Sequence, residues 1–109
     1  LATPVYYGTL APGILSVFSR YQCWYSNKRF LGIPVEAKPK KGVILLAAGG
    51  EGGYSAGLLT MKTLLRSIGV KGDIEVAASG NTDMLPASDD AVALGEAEQL
   101  ARQIYAPGQ

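Results

Sequence analysis

Two short segments carry the residue types best suited to holding a ligand. Thr3-Pro4-Val5-Tyr6-Tyr7-Gly8 places two aromatics between a proline and a glycine, and Gly49-Gly50-Glu51-Gly52-Gly53 lays bare a run of main chain. An aromatic beside a glycine-rich loop suits a flat heterocycle: the ring face takes apolar contact while main-chain N–H groups come close to its polar edges. The same residues also fit a plainer role, with the tyrosines covering the end of a core and the glycines making a turn. Glu51 is a candidate functional carboxylate on the same terms, against the alternative of a solvated loop charge.

Other chemistries fail on residue type. Gly53-Tyr54-Ser55-Ala56-Gly57 matches G-x-S-x-G, the nucleophile elbow of serine hydrolases. That chemistry needs a histidine later in the chain, and the sequence contains none. Ala48 to Gly52 also puts extra residues before Ser55, where an elbow turns sharply from strand to helix, so Ser55 reads as a helix cap. Gly52 and Gly57 have the spacing of a phosphate loop, but Leu58 and Leu59 stand where lysine and a hydroxyl residue belong. The dinucleotide fingerprint counted from Gly50 meets Ser55 in place of its third glycine. With one cysteine, no histidine and scattered acids, no metal site is expected. Cys23 reads as a partly buried, inert thiol, and Trp24 with Tyr25 as cover for a core or an oligomer contact, the polar helix end favouring the latter.

These segments must be positioned by strands and helices, and the pattern gives three strand-then-helix units. Leu1-Ala2-Thr3 looks like the last part of a strand, because a typical strand has about five or six residues. Pro4 to Gly8 then reads as a loop. A helix follows from Pro12, where proline fits the first turn, with Ile14, Leu15, Phe18, Tyr21 and Tyr25 on one apolar face. Ser26 to Pro34 reads as a turn. Val43 to Ala48 is apolar without alternation, as in a central parallel strand covered on both faces. After the glycine loop, Leu58, Met61, Leu65 and Ile68 form the buried stripe of a second helix, with Lys62 and Arg66 on its wet side and Gly69 ending it. Asp73 to Ala78 makes the third strand. Ser88 is placed to cap a last helix with Leu94, Ala97, Ala101 and Ile104 inward, ended by Pro107-Gly108. Strands alternating with helices imply parallel pairing, and ligands in such sheets sit at the strands' carboxyl ends.

Composition bounds the answer. The 109 residues are 48% apolar and 17% charged, with a net charge of +1. This describes a globular chain without a basic face for nucleic acid or a membrane patch. No apolar run reaches the roughly 18 residues of a membrane span. A single cysteine fits a reducing, cytoplasmic compartment.

Thr3-Pro4-Val5-Tyr6-Tyr7-Gly8 resembles the Ser/Thr-Pro-Val-Tyr-x-Gly segment that ends the third strand in NADPH-dependent FMN reductases. The likeness continues through the helix Pro12 to Tyr25, with Phe18 and Arg20 near places where the family often has Phe and Asp-Arg, and then through Lys38-Pro39 and the glycine loop. Ser19 departs from the family's acidic residue. Nearly all of the chain is covered, against only the later part of the family's domain.

The resemblance implies an α/β fold of flavodoxin-like type, a three-layer α/β/α sandwich with a parallel sheet. It further implies bound FMN, electron transfer from NAD(P)H through flavin to an acceptor, and a homo-oligomer. Carried over, Thr3, Pro4, Val5, Tyr6, Tyr7 and Gly8 contact the flavin, joined by Gly49, Gly50 and Glu51. No catalytic side chain is assigned, since the cofactor carries the chemistry. The family's phosphate-gripping loop follows a first strand that is not in this sequence. Residues 1–109 are therefore expected to be the C-terminal part of one FMN-binding domain whose N-terminal βα units are missing, inactive alone and a poor binder of FMN. A flavodoxin-type electron carrier, an iron–sulfur flavoprotein and a non-binding structural fragment remain the alternatives.

Overall fold

The computed structural model describes residues 1–33, 38–50 and 53–105. Chain order is β1 (Ala2–Tyr6), β2 (Thr9–Leu10), α1 (Pro12–Ser19), α2 (Gln22–Phe30), β3 (Lys40–Ala47), α3 (Ser55–Ser67), β4 (Val70–Ser79), a single 3-10 turn (Ala87–Asp89) and α4 (Ala91–Ile104). The fold is α/β, with one open, mostly parallel sheet in the order β2-β1-β3-β4. β1 runs parallel to β3 and β3 parallel to β4, while β2 returns antiparallel along β1.

The sheet's inner face follows from alternation along β3. Gly42, Ile44 and Leu46 turn to one side and are buried, and Ala48 continues that row. They pack with Met61 and Leu65 of α3, Val70 of β4 and Leu10 of β2. Ile44 and Met61 are wholly inaccessible. The stripe expected on α3 is therefore the observed one, with Leu58 and Ile68 half-buried at its margins. Gly69 follows α3 with φ 103°, a backbone that glycine adopts without penalty.

Several expectations are corrected. Pro4 to Tyr6 belongs to strand β1 and is not a loop. Leu1 both donates to Val43 and accepts from Leu45 on β3, so odd residues of β1 face β3 and the missing N–H of Pro4 falls on the other edge, where no ladder bond to β3 is lost. The single helix from Pro12 to Tyr25 is two, broken at Arg20-Tyr21, and the second runs on to Phe30 through what reads as a polar turn. Neither buries a residue fully, so a sequence stripe of aromatics did not guarantee a covered face.

β3 is covered on one side only in part. Leu45 remains exposed on the face toward α4, because α4 lies chiefly over β4. β4 starts at Val70 rather than Asp73. On α4 the buried residues are Ala93 and Leu100, with Ala97 half-buried between them as expected, whereas Leu94, Ala101 and Ile104 are exposed. Pro107 and Gly108 lie outside the described residues. Cys23 is exposed, its Sγ donating 3.1 Å to the Arg20 carbonyl. No helix among the described residues is long and apolar enough to cross a membrane.

Candidate functional site

Parallel pairing brings three connections to one rim. Pro4 lies beside Ala47, and Ala47 beside Ser79, so β1, β3 and β4 reach their carboxyl ends at the same level. The tyrosine turn, the glycine loop and the segment after β4 all leave from there.

β1 ends in a two-residue hairpin. Tyr6 pairs with Thr9, and the intervening Tyr7 and Gly8 have φ of 49° and 75°. Positive φ at both central positions is the type I′ turn, whose twist matches the flanking strands. Glycine accepts this freely. Tyrosine does not, and left-handed backbone at a residue with a Cβ costs about 1–2 kcal/mol. Tyr7 also projects fully into solvent, at 108% relative exposure, and Tyr6 is 55% exposed.

The turn is seated on α3. A Cβ at Gly57 would stand 2.5 Å from the Gly8 carbonyl oxygen and 3.2 Å from Thr9 Cα, so only glycine lets the hairpin come this close. Ser55, in the first turn of α3, is exposed and has no side-chain partner among the described residues, and the N-cap is Tyr54, without a side-chain capping bond. This corrects the reading of Ser55 as a cap. Among the described residues no base is hydrogen-bonded to it that would activate it as a nucleophile.

The segment after β4 folds back over the glycine loop. Thr82 N–H and Oγ1 both donate to the Ala48 carbonyl, at 2.9 and 3.0 Å, and Asp83 N–H donates to Gly49 at 2.9 Å. Ala48 N–H in turn reaches the Ser79 carbonyl at 2.8 Å. The Asp83 carboxylate and the Asn81 amide occupy the space that a side chain would take at Gly49 and Gly50. The Tyr54 ring lies against Gly80 in the same way. Asp90, not Ser88, caps α4: Oδ1 accepts from Ala93 N–H at 3.1 Å and Oδ2 from the Ser79 hydroxyl at 2.9 Å. Those bonds, the Ala93 N–H foremost, hold its carboxyl below the usual carboxylate range.

The predicted site residues thus divide. Pro4, Tyr6 and Tyr7 are exposed at the rim, and Gly8, Gly49 and Gly50 are half-buried beside it. Thr3 and Val5 turn inward. The Thr3 hydroxyl donates to the Pro4 carbonyl at 2.8 Å and accepts from Ala11 N–H at 2.9 Å, pinning the strand to the start of α1, while Val5 packs on the core. Glu51 lies outside the described residues. Next to the rim, on the α4 side, an apolar cleft of about 360 Å3 is lined by Pro4, Leu45, Ala47, Ala77, Ser79 and Leu94 among others.

Asn81, Asp83 and Tyr54 were not singled out from sequence. Their signal is weak, since only the return of the β4 loop onto the glycine loop gives them a role. Asp90 had a better one, an acid three residues before Ala93 in a helical run. Among the described residues no group of His, Cys, Asp or Glu could hold a metal ion.

Compared with known proteins, the chain matches no family model, no curated protein and no solved structure.

Proposed function

We propose that the protein is an FMN-binding, NAD(P)H-dependent oxidoreductase of the FMN reductase type, and that this chain forms the ring-facing rim of a flavodoxin-like α/β/α domain. The observation that carries the reading is Tyr7, a ring held wholly in solvent on a strained backbone, at the rim where an open parallel sheet binds its ligands. Strain at a residue that contributes nothing to the core fits a part made for something outside the chain.

The residues fit the flavin ring. Pro4, Tyr6 and Tyr7 offer an apolar and aromatic wall, and the cleft beside Pro4 and Ala47 has the size and apolar lining of a small-molecule site. They do not fit the phosphate. The turn Tyr7-Gly8 and the loops Ala48 to Tyr54 and Gly80 to Pro86 contain neither lysine nor arginine, and Asp83 brings a negative charge. Bound FMN would supply hydride transfer from a nicotinamide; these side chains stack on the ring, exclude water from one face and fix its position. Such a protein fits a cytoplasmic setting and a homo-oligomer, as in the family it resembles.

Flavin fluorescence tests this. The chain should quench riboflavin and FMN with affinities within about threefold of each other, because the rim recognises the ring and not the phosphate. Replacing Tyr6 and Tyr7 together by Ala should weaken both by about tenfold or more. Quenching that survives the double substitution, or no anaerobic oxidation of NADPH or NADH by the full-length protein with FMN, would end the proposal.

A further inference from the structure

The positive charge of the chain gathers at the other rim of the sheet, where the strands begin. Lys28 closes α2, Arg66 closes α3, and Lys38, Lys40, Lys41 and Lys71 flank the starts of β3 and β4. Between α2, the end of α3 and the start of β4 lies a cleft of about 390 Å3. Its walls combine Tyr21, Trp24 and Tyr25 with Lys28, Arg66 and Lys71, and among the described residues no acidic side chain lines it.

The cations differ in what already holds them. Arg66 Nη1 donates to the Val70 and Gly72 carbonyls, and Lys40 Nζ to the Lys38 and Ile68 carbonyls at 3.0 and 2.7 Å. Lys40 thereby offsets the carbonyl end of α3 at Ile68, while Arg66, from the last turn of α3, holds the first carbonyls of β4. Lys28 and Lys71 have no hydrogen bond or ion pair to any described residue. Two surplus ammonium groups therefore flank a cleft that Arg66 has already made locally positive.

The aromatic wall is also only partly used. Tyr21 and Trp24 meet edge to face at 4.7 Å between centroids, and Phe18 lies 5.8 Å behind Tyr21. Edge-to-face packing leaves at least one face of each ring free of its neighbour. Trp24 and Tyr21 are half-buried, and Tyr25 is 56% exposed. An aromatic face beside paired cations recognises a planar ring bearing a phosphate: the ring stacks and the phosphate takes the lysines.

We propose that this cleft binds aromatic phosphate monoesters of the nucleoside monophosphate class, at a site separate from the tyrosine rim. Its volume is at the lower end for small-molecule sites, which suits one base and one phosphate better than an extended polymer.

Trp24 is the sole tryptophan, so its fluorescence under selective excitation reports on this cleft alone. Adenosine monophosphate and phenyl phosphate should quench it saturably in the full chain. Adenosine and inorganic phosphate, each lacking one half of the recognition, should bind about tenfold more weakly or worse. The double substitution Lys28→Gln with Lys71→Gln should weaken adenosine monophosphate by about tenfold while leaving the response to adenosine unchanged. Both lysines are exposed, and far-UV circular dichroism checks that α2 persists. Equilibrium dialysis with Trp24→Ala gives a readout free of the reporter, and it should lose adenosine monophosphate binding. Tyr6 and Tyr7 variants should leave every one of these values unchanged, which separates this site from the flavin reading. Equal binding of adenosine and adenosine monophosphate, insensitivity to the lysine substitutions, or a single-stranded oligonucleotide binding about a hundredfold tighter would each overturn the proposal.

Discussion

Replacing Tyr7 by Asn isolates the strain at the rim from every other property of the turn. Tyr7 has φ 49° and no burial to lose, since its ring stands fully in solvent. Asparagine tolerates left-handed backbone through local hydrogen bonding, and Asn-Gly is the preferred pair for a type I′ hairpin. Most of the roughly 1–2 kcal/mol that a bulky residue pays there should be recovered, for a net gain of about 1 kcal/mol. In a domain of this size that raises the melting temperature by roughly 5 °C, with a matching shift of the urea midpoint at unchanged slope. Gly8→Ala is the control of opposite sign. Nothing lies within 4 Å of its added Cβ, but φ is 75°, so a loss of stability there reports on backbone alone. A Tyr7→Asn midpoint equal to or below that of the parent would refute the assignment of strain to this residue. The flavin reading adds that the more stable variant binds flavin more weakly, the trade expected where a strained residue serves a ligand.

Two further substitutions probe how the rim is held. Gly57→Ala should reverse the usual helical preference for alanine and lose about 1–3 kcal/mol, because its Cβ would meet the Gly8 carbonyl; unchanged urea stability would show that the hairpin does not rest on α3. Asp90→Asn should destabilise at neutral pH. The folded carboxyl of Asp90 is held low, so its contribution is present above the ordinary carboxylate range and is lost as pH falls through the folded value. The gap between parent and variant should therefore narrow on acidification, and a gap that stays constant from neutral to acidic pH would contradict the capping role.

What the sequence made legible was the part dictated by burial. Val43 to Ala48 had to be an inner strand, and Leu58, Met61, Leu65 and Ile68 had to face it, since no other arrangement buries both runs. The hairpin was hidden for two physical reasons. Proline usually argues against a strand, and only the pairing direction shows that the Pro4 nitrogen faces away from β3. Tyr-Tyr-Gly-Thr also lacks the Asn-Gly signature of a type I′ turn. The α1–α2 break was invisible because the aromatic spacing runs through Arg20-Tyr21 without a proline or glycine. Ser88 looked as good a cap as Asp90 because local preference scores both, whereas the Ser79 hydroxyl that completes the Asp90 cap comes from another strand. The candidate rim was legible as three loops leaving the carboxyl ends of parallel strands, Ser79 to Ala87 among them, but the return of Thr82 and Asp83 onto Ala48 and Gly49 arises from tertiary contact that no local pattern encodes.

That return changes what the glycines do. Gly57 admits the tyrosine turn, Gly49 and Gly50 admit Asp83 and Asn81, and Gly80 admits the Tyr54 ring. The first contact seats the turn after β1 on α3, and the other three join the loop after β3 to the loop after β4, so the turn is braced on the helix and the two loops on each other. Braced loops can hold a residue in an unfavourable conformation, because relaxing Tyr7 would require unseating the Gly8 carbonyl from α3. The glycines therefore explain how the strain persists but not why a tyrosine stands there. A hairpin with asparagine at that position would keep the turn, the seat on α3 and the core unchanged. The physical reason for two exposed rings at this edge must be sought in what they touch beyond the chain, which is where the flavin experiment looks.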